Sequence, residues 1–291
     1  MALPFSLTAP DGHILACVRF DPPNNQPPRA SIVIAPAMAV PQSFYGNFAQ
    51  YLSEQGYTVW TFDYRGTGES LRQTGVSMRG EKATLSDWFA GDYDTIVNAA
   101  AAAHPGTLLF AVGHSFGGQC APLLPSRDKL TGLINIAVGS GAMRHNTPSI
   151  RRTAPLLWYL LAPMLCPLFG YFPGSLIGII GDIPTGALFQ WRRWCLTPDY
   201  ILSGEPGARE AYASAPYPVL ALTFDDDEML LAAGSTLLHA AYPSGAVDYR
   251  LIEPAQVGLK RIGHFGFFKA PAGATLWPMV TAWIETRRRA K

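Results

Sequence analysis

A serine between two glycines, six histidines and a run of four acids are the residues of this chain that could carry chemistry. The serine is Ser115, in Gly113-His114-Ser115-Phe116-Gly117. A serine hydroxyl is a poor nucleophile until a base takes its proton and its oxygen stands clear of the backbone. Glycines two positions to either side permit a sharp turn that lifts the hydroxyl out. Apolar residues from Leu108 to Val112 precede the turn as a strand, and a helical stretch follows it. A helix start directs free N–H groups and the positive end of its dipole at the turn. The acids are Asp225, Asp226, Asp227 and Glu228, directly after the apolar run Val219 to Phe224.

The elements that must position these groups follow from hydrophobic patterning. Short β-branched runs alternate with longer amphipathic stretches, the pattern of an α/β domain with a mostly parallel sheet flanked by helices. Phe5 to Phe20 predicts two strands around Pro10-Asp11-Gly12. Ser31–Ala35, Thr58–Phe62, Leu108–Val112, Leu133–Val138, Val219–Phe224 and Asp248–Ile252 predict the others. Helices are expected near 44–52, 84–104 and 235–241 and at the C-terminal end, where Arg287, Arg288 and Arg289 suit the negative end of a helix dipole. From about Met143 to Tyr212 the alternation stops and Pro, Gly and aromatics take over. The uncharged run from Ala154 to Ile180 imitates a membrane span. Its four prolines predict pieces too short to cross a bilayer, and no stable span is expected.

Four stretches make the sequence similar to the α/β-hydrolase superfamily over nearly its whole length. They read PAMAVPQSFY (Pro36 to Tyr45), FDYRGTGES (Phe62 to Ser70), GHSFGGQ (Gly113 to Gln119) and GHFGFF (Gly263 to Phe268). In particular the chain resembles a bacterial group of predicted α/β hydrolases that carries all four, a group that implies no settled substrate. The resemblance implies the chain order nucleophile, acid, histidine. Ser115 is then the nucleophile. His264, between Gly263 and Gly266 after the last strand, is the base. His13, His104, His145 and His239 lie elsewhere along the order, and His114 is expected packed under the turn, next to any substrate.

The usual acid pattern of that superfamily, Gly-x-x-Asp-x-x-Val, fits with Phe224 in the glycine place, which makes Asp227 the acid; Asp226 is the alternative if the register is one residue out. The oxyanion hole is expected from the N–H groups of Phe116 and Met38, because Pro36 has none to give. Asp63 and Arg65 resemble a loop-fixing pair. The resemblance places a helical lid after the sixth strand, dividing the chain into a core of 1–142 and 213–291 and a lid of 143–212. Trp191 and Trp194 in that segment are candidate substrate contacts.

Composition narrows the class. With 22 basic and 21 acidic side chains the formal charge is +1, without the basic excess of a nucleic-acid binder. Cys17, Cys120, Cys166 and Cys195 are far apart with no histidine at ligand spacing, so neither a metal nor another cofactor is expected. Buried free thiols and an N-terminal stretch without a signal-peptide pattern suggest a cytoplasmic protein. The sequence thus leads to a serine hydrolase that cleaves a carboxylic ester with an apolar acyl or alcohol part through an acyl-serine. Its expected partner is a small apolar molecule, and nothing in it opposes a homodimer. Thioester, amide or lactone cleavage and acyl transfer use the same residues, and a binding protein on the same fold is the reading from another class.

Overall fold

The structure is a computed structural model that describes residues 2–23, 26–75, 77–178 and 180–289. Eight strands form one sheet in the order β1-β2-β4-β3-β5-β6-β9-β10. They are β1 (Ala2–Thr8), β2 (Ile14–Phe20), β3 (Ser31–Ala35), β4 (Thr58–Phe62), β5 (Leu109–His114), β6 (Gly132–Ile136), β9 (Val219–Phe224) and β10 (Val247–Ile252). Only β2 runs against its neighbours; β4, β3, β5, β6, β9 and β10 are mutually parallel. A two-residue hairpin, β7 (Tyr171–Phe172) with β8 (Ile183–Pro184), lies between β6 and β9.

The central strands are buried on both faces, as their unbroken apolar runs require. Alternate residues feed two cores. Val33, Ala35, Leu109 and Ala111 enter one with Trp88, Ile96 and Trp194. Ile32, Ile34, Phe110 and Val112 enter the other with Phe48 of the helix Gly46–Glu54 and Leu276 and Ile284 of the helix Ala270–Arg289. The chain leaves β3 on one side for β4 and returns on the other side as β5, so β3 and β5 meet at a topological switch point. Their register pairs Ala35 with Gly113, which sets the loops 36–38 and 114–116 side by side at the strand ends.

Among the described residues no helix is long and apolar enough to cross a membrane. The prolines do not, however, divide the uncharged run as the sequence predicts. A helical path is continuous from Pro148 to Phe169, with a wider π turn at Leu157–Leu161 between two α segments. Pro155, Pro163 and Pro167 all lie on the exposed side. An exposed helix face tolerates a missing N–H, since the freed carbonyl can find another partner, and the Trp158 carbonyl in the π turn accepts from Arg192 Nε (2.7 Å). Ile179 of the run lies outside the described residues.

All four cysteines are free and buried, and burial pushes the Cys17 thiol up to about 12. A buried polar cluster sits behind the Ser115 turn. Asn135 on β6 presses against Gly118 and donates from Nδ2 to His239 Nε2 (3.0 Å), while His239 Nδ1 donates to the Ser235 carbonyl (2.8 Å). Burial lowers the His239 pKa to about 4. A histidine depressed from an ordinary 6.5 contributes stability that is present above 6.5 and lost as the pH falls through 4. That displacement corresponds to roughly 3 kcal/mol. Urea titrations from pH 7 to pH 4 should therefore show wild type losing stability faster than His239→Gln; parallel losses would place the acid sensitivity elsewhere.

Candidate active site

Ser115, the acid run, His264 and Met38 all follow the C-terminal ends of parallel strands. Ser115 follows β5 directly, with φ 49° and ψ −113°, a conformation that a non-glycine residue adopts only at a cost of about 1–3 kcal/mol. Packing enforces it: a side chain on Gly113 would strike the Gly118 backbone, and one on Gly117 would strike the Ala35 carbonyl. Helix Phe116–Cys120 begins at the next residue.

The acid loop follows β9, the histidine loop follows β10, and the register pairs Phe224 with Ile252. His264 Nδ1 donates to Oδ2 of Asp227 at 2.7 Å, with both residues buried. The other Asp227 oxygen accepts the N–H groups of Met229 (2.8 Å) and Leu230 (2.9 Å), so the carboxylate is held from two sides. That bond fixes the imidazole tautomer and leaves Nε2 to accept a proton. The remaining acids do not reach the ring. Asp226 accepts from the N–H groups of Ile262 (2.8 Å) and Gly263 (2.9 Å), and Glu228 accepts from the His264 N–H (3.0 Å). Asp225 is exposed. Two carboxylates thus clamp the backbone of the loop whose imidazole the third engages.

The loop after β3 supplies a free donor. Pro36 has no N–H, and the Ala37 N–H is taken by the Tyr45 hydroxyl (2.8 Å). Among the described residues the Met38 and Phe116 N–H groups donate to no protein acceptor. Met38, Ser115, Phe116 and His264 all line one cavity of about 340 Å³. Two unspent donors, a raised hydroxyl and a carboxylate-oriented imidazole around one space are the parts that acyl transfer needs.

His114 is fully buried and is not among the residues that line the cavity, which corrects its expected place next to substrate. It lies below the turn, where Nε2 donates to the His264 carbonyl (2.9 Å) and Nδ1 accepts from the Tyr45 hydroxyl (2.9 Å). A carbonyl can only accept, so the network defines one neutral tautomer. Burial, and then the neighbouring His264, hold its pKa well below the ordinary value. The chain Ala37–Tyr45–His114–His264 ties the donor loop to the histidine loop.

The tryptophans part company. Trp191 lines the cavity, edge-on to Trp158 at 5.0 Å, and donates to the Tyr200 hydroxyl (3.1 Å). Trp194 faces the core and donates to Glu205 (3.0 Å), away from the cavity. Three positions apart, the two rings lie on neighbouring sides of one helix, and the edge of the cavity falls between them. Asp63 and Arg65 do not pair with each other. Asp63 accepts from the Gln42 N–H (2.7 Å), the Gln42 side chain (3.1 Å) and the Glu69 N–H (3.0 Å). Arg65 is held by Asp92 (2.7 Å) and by Asp11. Burial raises Asp92 to about 6 despite that arginine.

Sequence pattern does not reveal the Gln119–Tyr200 pair. The Tyr200 hydroxyl donates to Gln119 Oε1 (3.0 Å), whose amide donates to the Gly139 carbonyl (2.8 Å), and both side chains border the cavity. Gln119 in GHSFGGQ was the available signal; Tyr200, at φ 55°, gave none. Among the described residues no cluster of His, Cys, Asp or Glu could hold a metal ion.

The chain is similar along almost its full length to solved α/β hydrolases. A soluble variant of monoglyceride lipase from Saccharomyces cerevisiae, bound to a substrate analogue, superposes with a TM-score of 0.71 at 16% identity over 98% of this chain and 94% of that one. A thermostable carboxyl esterase from Bacillus coagulans gives 0.63 at 14% identity over 99% of each chain. A monoacylglycerol lipase from Paleococcus ferrophilus gives 0.59 at 16% over 94% and 99%. These likenesses show the fold. The family described as serine aminopeptidase, S33, matches residues 26–171, half of the chain, including β3, β5 and the Ser115 turn. With that match and this architecture, the chain belongs to the S33 serine aminopeptidase family on the α/β-hydrolase fold, and it is a serine hydrolase.

Proposed function

We propose that the protein hydrolyses carboxylic esters with an apolar acyl or alcohol part. Ser115 Oγ attacks the ester carbonyl as His264 Nε2 takes its proton. Asp227 holds the ring and balances the imidazolium. The oxyanion is bound by the N–H groups of Met38 and Phe116. Return of the proton to the alcohol breaks the C–O bond and leaves an acyl-serine. Water, activated by the same imidazole, then releases the acid and restores the hydroxyl.

The observation that carries the ester reading is the cavity wall. Among the described residues it contains no Asp, Glu, Lys or Arg, and apolar side chains, Leu157, Trp158, Leu161, Ile180, Trp191 and Leu230 among them, dominate it. An aminopeptidase must hold the ammonium group of its substrate, which calls for a carboxylate facing the cavity. Three carboxylates of the surrounding segments are spent: Asp226 and Glu228 on the histidine loop, and Glu205 on Trp194 and Arg193. Monoglyceride and monoacylglycerol lipases among the structural neighbours support the same choice.

We further assign residues 143–212 as a lid, since Ile150, Leu157, Trp191 and Tyr200 close the cavity over Ser115. A panel of p-nitrophenyl esters of rising acyl length beside amino-acid anilides tests both assignments. Esters should turn over and anilides should not. Trp191→Ala should raise KM several-fold for long acyl chains and little for acetate, because only a long chain fills the apolar wall to which the ring belongs. Preferential anilide cleavage would overturn the ester reading.

A further inference from the structure

We infer that the outer face of the Pro148–Phe169 helix is a docking surface for a lipid bilayer with anionic headgroups. From Ala154 onward this helix is apolar all round, yet only one side is packed. Ala154, Trp158, Ala162 and Cys166 are buried, while Tyr159, Leu160, Met164 and Leu168, with Leu156 at the rim where the cavity begins, stand between 47 and 64% exposed. The exposed residues recur every three to four positions and so form one stripe. A stripe from residue 156 to 168 is about 18 Å long. An isolated exposed leucine needs no explanation, but a stripe of this length does.

Two observations name the occupant. The first is continuity: Leu157, Trp158 and Leu161 on the inner side of the same helix line the cavity over Ser115. The helix therefore has an apolar solvent on its outside and an apolar chamber on its inside, the arrangement that lets an acyl chain pass from one to the other. The second is charge. Arg151 and Arg152 are exposed on the first turns of the helix, and Arg79 binds the Leu168 and Phe169 carbonyls at its far end. No acidic residue occurs between Asn146 and Gly181. A protein partner would need no such frame, whereas an in-plane helix on an anionic surface needs an apolar face with cations at its margins.

The test is flotation of the purified full chain with vesicles of phosphatidylcholine containing a quarter phosphatidylglycerol, and with pure phosphatidylcholine. It requires no turnover, so it stands apart from the ester reading. Wild type should float as a monomer, more strongly with the anionic vesicles, and high salt should weaken that preference. Leu160→Glu/Met164→Glu should lower partitioning about tenfold or more while keeping a thermal midpoint within about 3 °C of wild type. Arg151→Gln/Arg152→Gln should abolish the preference for anionic vesicles. Failure of wild type to float, or flotation unaffected by the glutamates, overturns the inference. So does a wild-type dimer that the glutamates convert to monomer, since a second copy would then be the occupant.

Discussion

Ser115→Ala is expected to lower kcat on a p-nitrophenyl ester by about 10⁶ and to abolish labelling by a fluorophosphonate probe. The loss is this large because in the proposed route the hydroxyl forms the acyl intermediate, and nothing nearby can replace it. The cysteines are fully or almost fully buried, and burial raises the thiols of Cys120 and Cys195 well above their ordinary value. Neither is a thiolate at neutral pH. The residual rate should come from the two free N–H groups and the cavity, which together still favour the tetrahedral geometry. Stability should change little. Alanine and serine suffer the same strain at φ 49°, and the Ser115 hydroxyl caps no N–H of the helix that follows, so the fold keeps its shape without it. Retention of label and of more than a hundredth of the activity would remove Ser115 from the mechanism, and with it the whole proposed route.

Sequence and structure agree best where one physical constraint acts alone. Ser31–Ala35, Thr58–Phe62 and Val219–Phe224 are strands with the bounds the sequence suggests, because a strand buried on both faces carries a short run of apolar and β-branched residues that stands out from the loops around it. The Ser115 turn was legible for a similar reason: Gly113 and Gly117 are dictated by backbone contacts closer than any side chain allows. Where several constraints compete, the sequence says less. The Pro148–Phe169 helix survives three prolines because they fall on its solvent side, which depends on a tertiary contact that no local pattern reveals. The β7–β8 hairpin is two residues long on each side, too short for any periodicity. Trp191 and Trp194 read alike in sequence, and only the placement of their helix against the sheet sends one to the cavity and the other to the core. His114 could be seen beside the nucleophile, but its bonds to Tyr45 and the His264 carbonyl join segments remote in sequence.

The run Asp225 to Glu228 is where a single atom's position decides a role, and its variants should separate accordingly. Asp227→Asn keeps the shape and can keep the two backbone N–H bonds through its carbonyl oxygen. Its amide nitrogen then faces His264 Nδ1 and can only donate, which places the ring proton on Nε2, where the base must be empty. The change should cost about 10⁴ in kcat, as expected for loss of the orienting charge and tautomer. Asp226→Asn touches no ring. It weakens two charge-assisted bonds to the Ile262 and Gly263 N–H groups, each worth about 1.5–3 kcal/mol. Its effect should appear mainly as lower stability, with at least a tenth of wild-type kcat, a barrier change of about 1.4 kcal/mol or less. Asp225→Asn, on an exposed side chain, should alter neither. Paired measurement of kcat and urea midpoint for the three variants distinguishes a carboxylate that stabilises the imidazolium from one that only shapes the loop. A crippled Asp226→Asn with a functional Asp227→Asn would transfer the orienting role to Asp226, and the bond between Asp227 and His264 would then be structural.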